Sequence, residues 1–163
     1  MTKTKKICYL AMLTALYVVL SAFLKINIIG NITIDLGYIA FAVALVYFGW
    51  TGAIVGVIGC ALESLLFSAY GFSISWVVAN LIIGLTCGIT FTMTNKLWLR
   101  ILAIIVSCAA GLLLAKTAIE CYLYSIPLLV KMPKNVTAFT LDAVTMICGV
   151  SLCHKVKFLK KTS

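Results

Sequence analysis

Four ionisable residues lie inside otherwise apolar stretches of this sequence: Glu63, Lys116, Glu120 and Asp142. A charge in an apolar environment is costly unless it is paired or hydrogen-bonded, so such residues usually mark a binding site, an ion pathway or an ion pair. Lys116 and Glu120 are four residues apart, a spacing that places two helical side chains on one face. They can therefore neutralise each other, but that pairing would account for only two of the four charges.

Aromatic and amide side chains accompany the charges at the same spacing. Trp76 and Asn80 are four residues apart, and Tyr124 continues the stripe of Lys116 and Glu120. Two polar stripes of this kind predict the walls of a substrate pocket, with Trp76 and Tyr124 stacking on a ring and Asn80 fixing its orientation. Two other interpretations stay open: Trp76 as an aromatic anchor at a membrane interface, and Asn80 as a hydrogen-bonding link between helices.

The segments that must hold these residues are membrane spans. The 163 residues are 64% hydrophobic and 10% charged, far from the roughly 45–50% and about 25% of soluble domains. The apolar stretches predict an all-α membrane protein, a bundle of six transmembrane helices in one domain that covers residues 1–163. The predicted spans are residues 7–24, 36–50, 52–69, 72–94, 100–125 and 135–153. The second span is short for a core of about 30 Å, which predicts a tilted or re-entrant helix.

The predicted spans place the four charges at a common depth. With a rise of about 1.5 Å per helical residue, all four lie about 8–14 Å below the outer ends of their helices. Charges from three different spans therefore share one layer in the outer half of the membrane. This layer predicts that the pocket opens to the outside.

Basic residues set the orientation. The net charge is +9, but the lysines and arginines cluster at the ends of apolar stretches, so they indicate topology and no nucleic acid partner. Nine lie on one predicted side and three on the other. The nine are Lys3, Lys5, Lys6, Lys96, Arg100, Lys155, Lys157, Lys160 and Lys161; the three are Lys25, Lys131 and Lys134. We expect a multi-pass protein of a bacterial cell membrane with both termini in the cytoplasm.

Several chemistries have no sequence support. No GxxxxGK[ST] phosphate loop is present, so the chain is not expected to hydrolyse ATP. The seven cysteines form no CxxC pair, and the single histidine, His154, has no neighbours that complete a metal site or a catalytic triad. We predict neither an enzyme nor a bound metal or cofactor.

Small residues repeat every four positions in three spans and predict close helix packing. The repeats are Ala11 and Ala15, Gly52 and Gly56, and Gly84 and Gly88. The glycine pairs are expected to close the bundle below the pocket. Ala11 and Ala15, near the start of the first span, could instead present a smooth strip to a partner helix.

The chain resembles the substrate-binding S components of energy-coupling factor (ECF) vitamin transporters. The resemblance covers nearly the whole length and is carried by KKICYLAMLTALYVVLS at the start, by ITIDLGYIAFAVALVYFGWTGAIVGVIGCALESLLF and by GFSISWVVANLIIGLTCG. It implies a six-helix protein that captures a vitamin or related micronutrient from outside. It also implies two kinds of partner, a membrane coupling protein (the T component) and two ATPase subunits that supply the energy. The strip that contacts the coupling protein would be Ala11 and Ala15.

The nature of the ligand stays open at this level. Three carboxylates against one lysine favour a small ring-containing molecule with a cationic or hydrogen-bond-donating group, accepted by Glu120 and Asp142. The alternative is an anionic vitamin held by Lys116. Two other classes of protein are also compatible with the sequence: a structural membrane subunit of a bacterial cell-shape complex, and a small proton-coupled exporter that uses Glu63.

Overall fold

The computed structural model describes the backbone of residues 2–24, 26–29, 32–67, 72–125 and 127–162. Side chains are described for residues 2–24, 34–67, 72–125 and 127–156.

The fold is helical apart from one small hairpin, formed by strands β1 (Ile26–Ile29) and β2 (Ile32–Ile34), which pair antiparallel. The helices are α1 (Lys3–Phe23), α2 (Gly37–Phe48), α3 (Ala53–Phe67), α4 (Ile74–Met93), α5 (Leu97–Cys108), α6 (Thr117–Tyr124) and α7 (Leu128–Thr162). A 3-10 turn (Gly49–Gly52) joins α2 to α3, and a π-helix (Ala109–Lys116) joins α5 to α6.

Five helical segments of the described chain are long and apolar enough to cross a membrane. They are Lys3–Phe23, Gly37–Phe67, Ile74–Met93, Leu97–Tyr124 and Leu128–Val156. The prediction of a helical multi-pass protein is thus confirmed, but the count of six spans is not. The two counts differ because the second and third predicted spans fall within one 31-residue segment, Gly37–Phe67.

Glycines allow α2 and α3 to touch along their backbones. A β carbon on Gly52 would lie 2.6 Å from the backbone carbonyl of Ala44, and one on Gly56 would lie 2.5 Å from the ring of Phe41. The residue that precedes this contact, Gly49, has a φ of +59°, a conformation that L-residues with side chains rarely adopt. The chain therefore folds back at Gly49, and α3 packs against α2.

Helix α4 packs on the same turn through two more glycines. A β carbon on Gly84 would lie 2.6 Å from that of Ala53, and one on Gly88 would lie 2.5 Å from the backbone of Trp50. Both positions belong to the four-residue repeats found in the sequence. Helices α2, α3 and α4 thus form a closely packed unit in which side chains larger than hydrogen do not fit at the contacts.

Helix α7 begins earlier than the sequence predicts. The predicted spans leave residues 126–134 as a loop, but the helix starts at Leu128 and includes Pro133 in its second turn. A proline at this position has no N–H to donate to the carbonyl of Leu129, four residues before it, so one hydrogen bond of the helix is lost there. The early start makes Lys131 a helical residue, and Asn135, the first residue of the predicted span, is fully buried one turn further along.

Arg100, which the sequence indicated only as a topological charge, is 4% exposed and closes the end of α4. Its guanidinium donates to the carbonyl oxygens of Phe91 and Thr94 and to Oδ1 of Asn95. Phe91 lies in the last turn of α4 and Thr94 directly follows the helix, where carbonyl groups lack donors from the helix itself. Arg100 therefore links α4 to α5.

Candidate functional site

The centre of the candidate site is a buried ion pair between the last residue of the π-helix and a residue of α6, and a third charge joins it from α7. Nζ of Lys116 lies 3.2 Å from Oε1 of Glu120, and Nζ of Lys131 lies 3.4 Å from Oε2 of the same carboxylate. Lys116 is 3% exposed, whereas the Lys131 side chain is 23% exposed. The predicted neutralisation of Lys116 by Glu120 is therefore present, with a second lysine sharing the carboxylate.

Asn135, on α7, connects the ion pair to α6. Nζ of Lys116 donates to Oδ1 of Asn135, and Nδ2 of Asn135 donates to Oγ1 of Thr117 at 2.9 Å and to Oε2 of Glu120 at 3.4 Å. The Thr117 hydroxyl in turn donates to the carbonyl oxygen of Leu112 at 3.2 Å. A network that satisfies its buried members in this way orients them and resists rearrangement.

Helix α4 covers the ion pair with an aromatic ring and a hydroxyl. Nζ of Lys116 lies 4.3 Å from the ring centroid of Trp76, within the range of a cation–π interaction. Oγ of Ser75 donates to Oε1 of Glu120 at 3.4 Å. Trp76 therefore stands beside the charges, and Lys116 occupies one face of its ring. A ligand ring that stacks on Trp76 would use the other face or displace the lysine.

Three other buried polar residues hold atoms that have no hydrogen-bond partner among the described residues. The atoms are Oη of Tyr38, Oδ1 and Nδ2 of Asn80, and Oδ2 of Asp142. The Asn80 amide lies close to the Cys60 thiol, a weak hydrogen-bonding partner. All three residues are at most 3% exposed. Because buried polar groups are nearly always satisfied, these atoms point to ordered water or to a ligand that donates and accepts hydrogen bonds. Asp142 is also close enough to Lys116 to interact with it electrostatically.

Two of the predicted site residues lie outside this buried centre. Tyr124 is 55% exposed, and Nζ of Lys131 lies 6.0 Å from its ring centroid. Glu63 is half-buried on α3, where it interacts with Cys60 and Tyr17. The structure therefore brings Trp76, Lys116 and Glu120 into contact, and it places Tyr124 at their edge.

An open groove of about 400 Å³ on the outside of the bundle contains none of the polar residues. It is lined by Ile74, Val78, Ala118, Ile119, Tyr122 and Leu123. Such an apolar surface suits contact with lipid tails, and we do not assign the substrate site to it.

The predicted partner strip lies on the outer face of α1. Ala11 and Ala15 are both exposed, and at about 100° per residue they lie roughly 110° around α1 from the centre of its buried face, which is formed by Leu10, Thr14, Tyr17 and Ser21. The strip is thus available to a helix from another protein.

Sequence reasoning missed several members of the site. Ser75, Thr117, Lys131 and Asn135 contribute hydrogen bonds or charge, and Tyr38 contributes an unsatisfied hydroxyl. The sequence signals these residues only weakly, because Ser75 and Thr117 are common in helices, and Lys131 and Asn135 fell in or beside the predicted loop.

Apolar helices that enclose charged and amide side chains define a multi-pass membrane protein with a buried polar site. Comparison with known families gives the particular group. The profile of the family described as "ECF-type riboflavin transporter, S component" matches residues 1–157. The chain belongs to this family, which confirms the resemblance found in the sequence. The family consists of transporter subunits, not enzymes.

Three solved structures have a similar fold. The crystal structure of FolT bound with folic acid has a TM-score of 0.73 at 17% identity, with 93% of each chain covered. The S-component for biotin from an ECF-type ABC transporter has a TM-score of 0.69 at 17% identity and covers 96% of this chain and 94% of its own. The S component of a bacterial ECF transporter has a TM-score of 0.67 at 20% identity and covers 98% and 99%. No curated protein sequence matches the chain significantly.

Proposed function

We propose that this chain is the substrate-binding subunit of an ECF-type importer. It captures a vitamin on the outer side of the cell membrane, and a membrane coupling protein with two ATPase subunits drives uptake. The family assignment favours this function over a cell-shape subunit or an exporter that uses Glu63. Within the chain, the observation that carries the proposal is a buried polar centre with unsatisfied hydrogen-bonding atoms.

The charges at this centre give no reason to expect a cationic ligand. Lys116 and Lys131 both pair with Glu120, and Asp142 interacts electrostatically with Asp35 as well as with Lys116. The participation of Lys131 removes the excess of carboxylates on which the expectation of a cationic ligand rested. A neutral ring system with several donors and acceptors fits a site that combines a paired carboxylate with unsatisfied amide, hydroxyl and carboxylate atoms. Riboflavin, after which the matched family is named, has this chemistry, and we propose it as the ligand.

Titration of the purified subunit in detergent with riboflavin tests the ligand. We expect saturable binding with one site, followed by quenching of flavin fluorescence, and no competition by biotin or folic acid. Replacement of Trp76 by phenylalanine should weaken binding by about 0.5–1.5 kcal/mol, because a smaller ring offers less stacking. Trp98→Phe is the matched control, since Trp98 is 61% exposed at the start of α5. Absence of saturable riboflavin binding, or stronger binding of biotin or folic acid, would contradict the ligand assignment.

We further propose that α2 and α3 each cross the membrane, which gives six spans and places both termini in the cytoplasm. The reversal at Gly49 and the nine-to-three distribution of basic residues support this topology. In a cysteine-free background, Val130→Cys should react with an impermeant thiol reagent in intact cells. Asn95→Cys and Thr2→Cys should react only after lysis.

In a five-span protein with the same cytoplasmic amino terminus, positions 95 and 130 would each lie on the other side of the membrane. Asn95→Cys would then be labelled from outside and Val130→Cys would be protected. That pattern would show that Gly37–Phe67 crosses the membrane only once.

A further inference from the structure

The most unusual backbone of the described chain lies directly before the candidate site. Residues Ala109–Lys116 form a π-helix of 8 residues between α5 and α6. Helices of this type are rare, usually confined to a single turn, and frequent at functional sites. The segment ends at Lys116, the residue at the centre of the ion pair and of the contact with Trp76.

The buried face of α5 shows what the π-helix changes. Arg100, Ile104, Ser107 and Cys108 are the buried residues of α5. An α-helix turns by about 100° per residue, so an uninterrupted helix would place Lys116, Thr117 and Glu120 about 125–175° away from the centre of that face. These three residues would then point to the lipid. In the structure they are instead 3%, 1% and 7% exposed.

The exposed residues of the same segment differ from an uninterrupted α-helix in the opposite way. In an uninterrupted α-helix, Leu114, Ala118 and Tyr122 would lie within about 65° of the buried face of α5. They are exposed in the structure, Leu114 at 70% and Tyr122 at 86%. The change of helical register at Ala109–Lys116 therefore exchanges an apolar stripe for a polar one on the interior side of α6.

We infer that the π-helix Ala109–Lys116 is the element that turns the polar stripe of α6 into the binding site, and that Thr117 is the positioning residue that holds it there. The inference rests on the proposed function in one respect, that Lys116 and Glu120 line the substrate site. The Thr117 hydroxyl donates to the carbonyl of Leu112 inside the π-helix and accepts from Nδ2 of Asn135 on α7. It thus fixes the register of α6 relative to the side chain that binds Lys116.

Cross-linking tests the register without any ligand. In a cysteine-free background, the pair Thr117→Cys with Asn135→Cys should be joined by a short bifunctional thiol reagent, because the two native side chains are in contact. The pair Ala118→Cys with Asn135→Cys should not be joined, since Ala118 is exposed on the outer side. Efficient joining of the second pair and not of the first would overturn the inference.

Riboflavin titration tests the positioning role. Thr117→Val keeps the volume and removes the hydroxyl, and we expect at least about fivefold weaker binding, the effect of about one hydrogen bond. Thr117→Ser should restore most of the affinity. Thr14→Val is the matched control, because it removes a buried hydroxyl that donates to Leu10 on α1, and it should leave the affinity unchanged.

The two tests separate this inference from the proposed ligand. Unchanged riboflavin affinity in Thr117→Val would overturn the positioning role even if the cross-linking pattern is as expected. If the unmodified protein does not bind riboflavin, the ligand assignment fails, while the cross-linking pattern still decides the register.

Discussion

Uptake by the assembled transporter is expected to fall at least about tenfold when Ala11 and Ala15 are both replaced by leucine, a loss of about 1.4 kcal/mol or more in coupling. Both residues are exposed on α1, roughly 110° around the helix from the centre of its buried face. Small residues allow two helices to approach closely, and two leucines would hold a partner helix away. The bundle itself should still fold, because both positions are exposed and not part of its core.

The measurement is uptake of riboflavin into vesicles that contain the subunit together with the coupling protein and both ATPases. Binding by the isolated variant should remain at the wild-type level. Ala118→Leu combined with Cys148→Leu is the control, since both are small exposed residues on other helices. If the variant with Ala11→Leu and Ala15→Leu transports normally, or if the control loses as much uptake, α1 does not carry the contact with the coupling protein.

Removal of the Glu120 charge is expected to have the largest effect on the site itself. Glu120→Gln leaves Lys116 buried at 3% exposure and Lys131 beside it, two cations without the carboxylate that they share. Loss of one partner from a buried ion pair typically costs about 3–5 kcal/mol. Lys116→Met should cost less, because Glu120 keeps Lys131 as a partner. The midpoint of thermal unfolding in detergent and the riboflavin affinity should both fall more in Glu120→Gln than in Lys116→Met.

The double variant Lys116→Met with Glu120→Gln sharpens the comparison. It removes both charges of the buried pair, so it should be more stable than Glu120→Gln alone. Lys131→Met serves as the control for a partly exposed charge, for which about 1 kcal/mol or less is expected. A larger loss in Lys116→Met than in Glu120→Gln would show that the lysine, and not the carboxylate, holds the site together.

The sequence predicted the parts of the site that depend on local spacing. The four-residue separation of Lys116 and Glu120 predicts their contact on any regular helix, and the ion pair forms. The four-residue glycine repeats likewise predict close packing, which occurs at Gly52, Gly56, Gly84 and Gly88. The roles assigned to particular residues remain predictions, both those in substrate binding (Trp76, Asn80, Lys116, Glu120, Tyr124, Asp142 and Glu63) and those in partner binding (Ala11 and Ala15).

Other parts of the site could not be predicted, because they depend on contacts between distant segments. The contact of Asn135 with Lys116 joins residues 19 positions apart. Lys131 is helical because α7 begins at Leu128 and continues through Pro133, a residue that ordinarily argues against a helix. The direction in which Lys116 and Glu120 point depends on the π-helix, and a periodicity of 3.6 residues assigns them to the wrong side. No local rule gives either feature.

The close contacts among α2, α3 and α4 have a consequence for engineering new specificities. At Gly52 and Gly88 the neighbouring atoms belong to the backbone itself, so an added methyl group cannot be accommodated by side-chain movement. The polar wall formed by α6 and the start of α7 is held instead by side-chain hydrogen bonds and charges. Gly111 is an exception, because a β carbon there would lie 2.9 Å from the backbone oxygen of Ala79 on α4. A library intended to recruit other nutrients should therefore vary the side chains of this polar wall, with the partners of each hydrogen bond and ion pair changed together, and leave the glycines untouched.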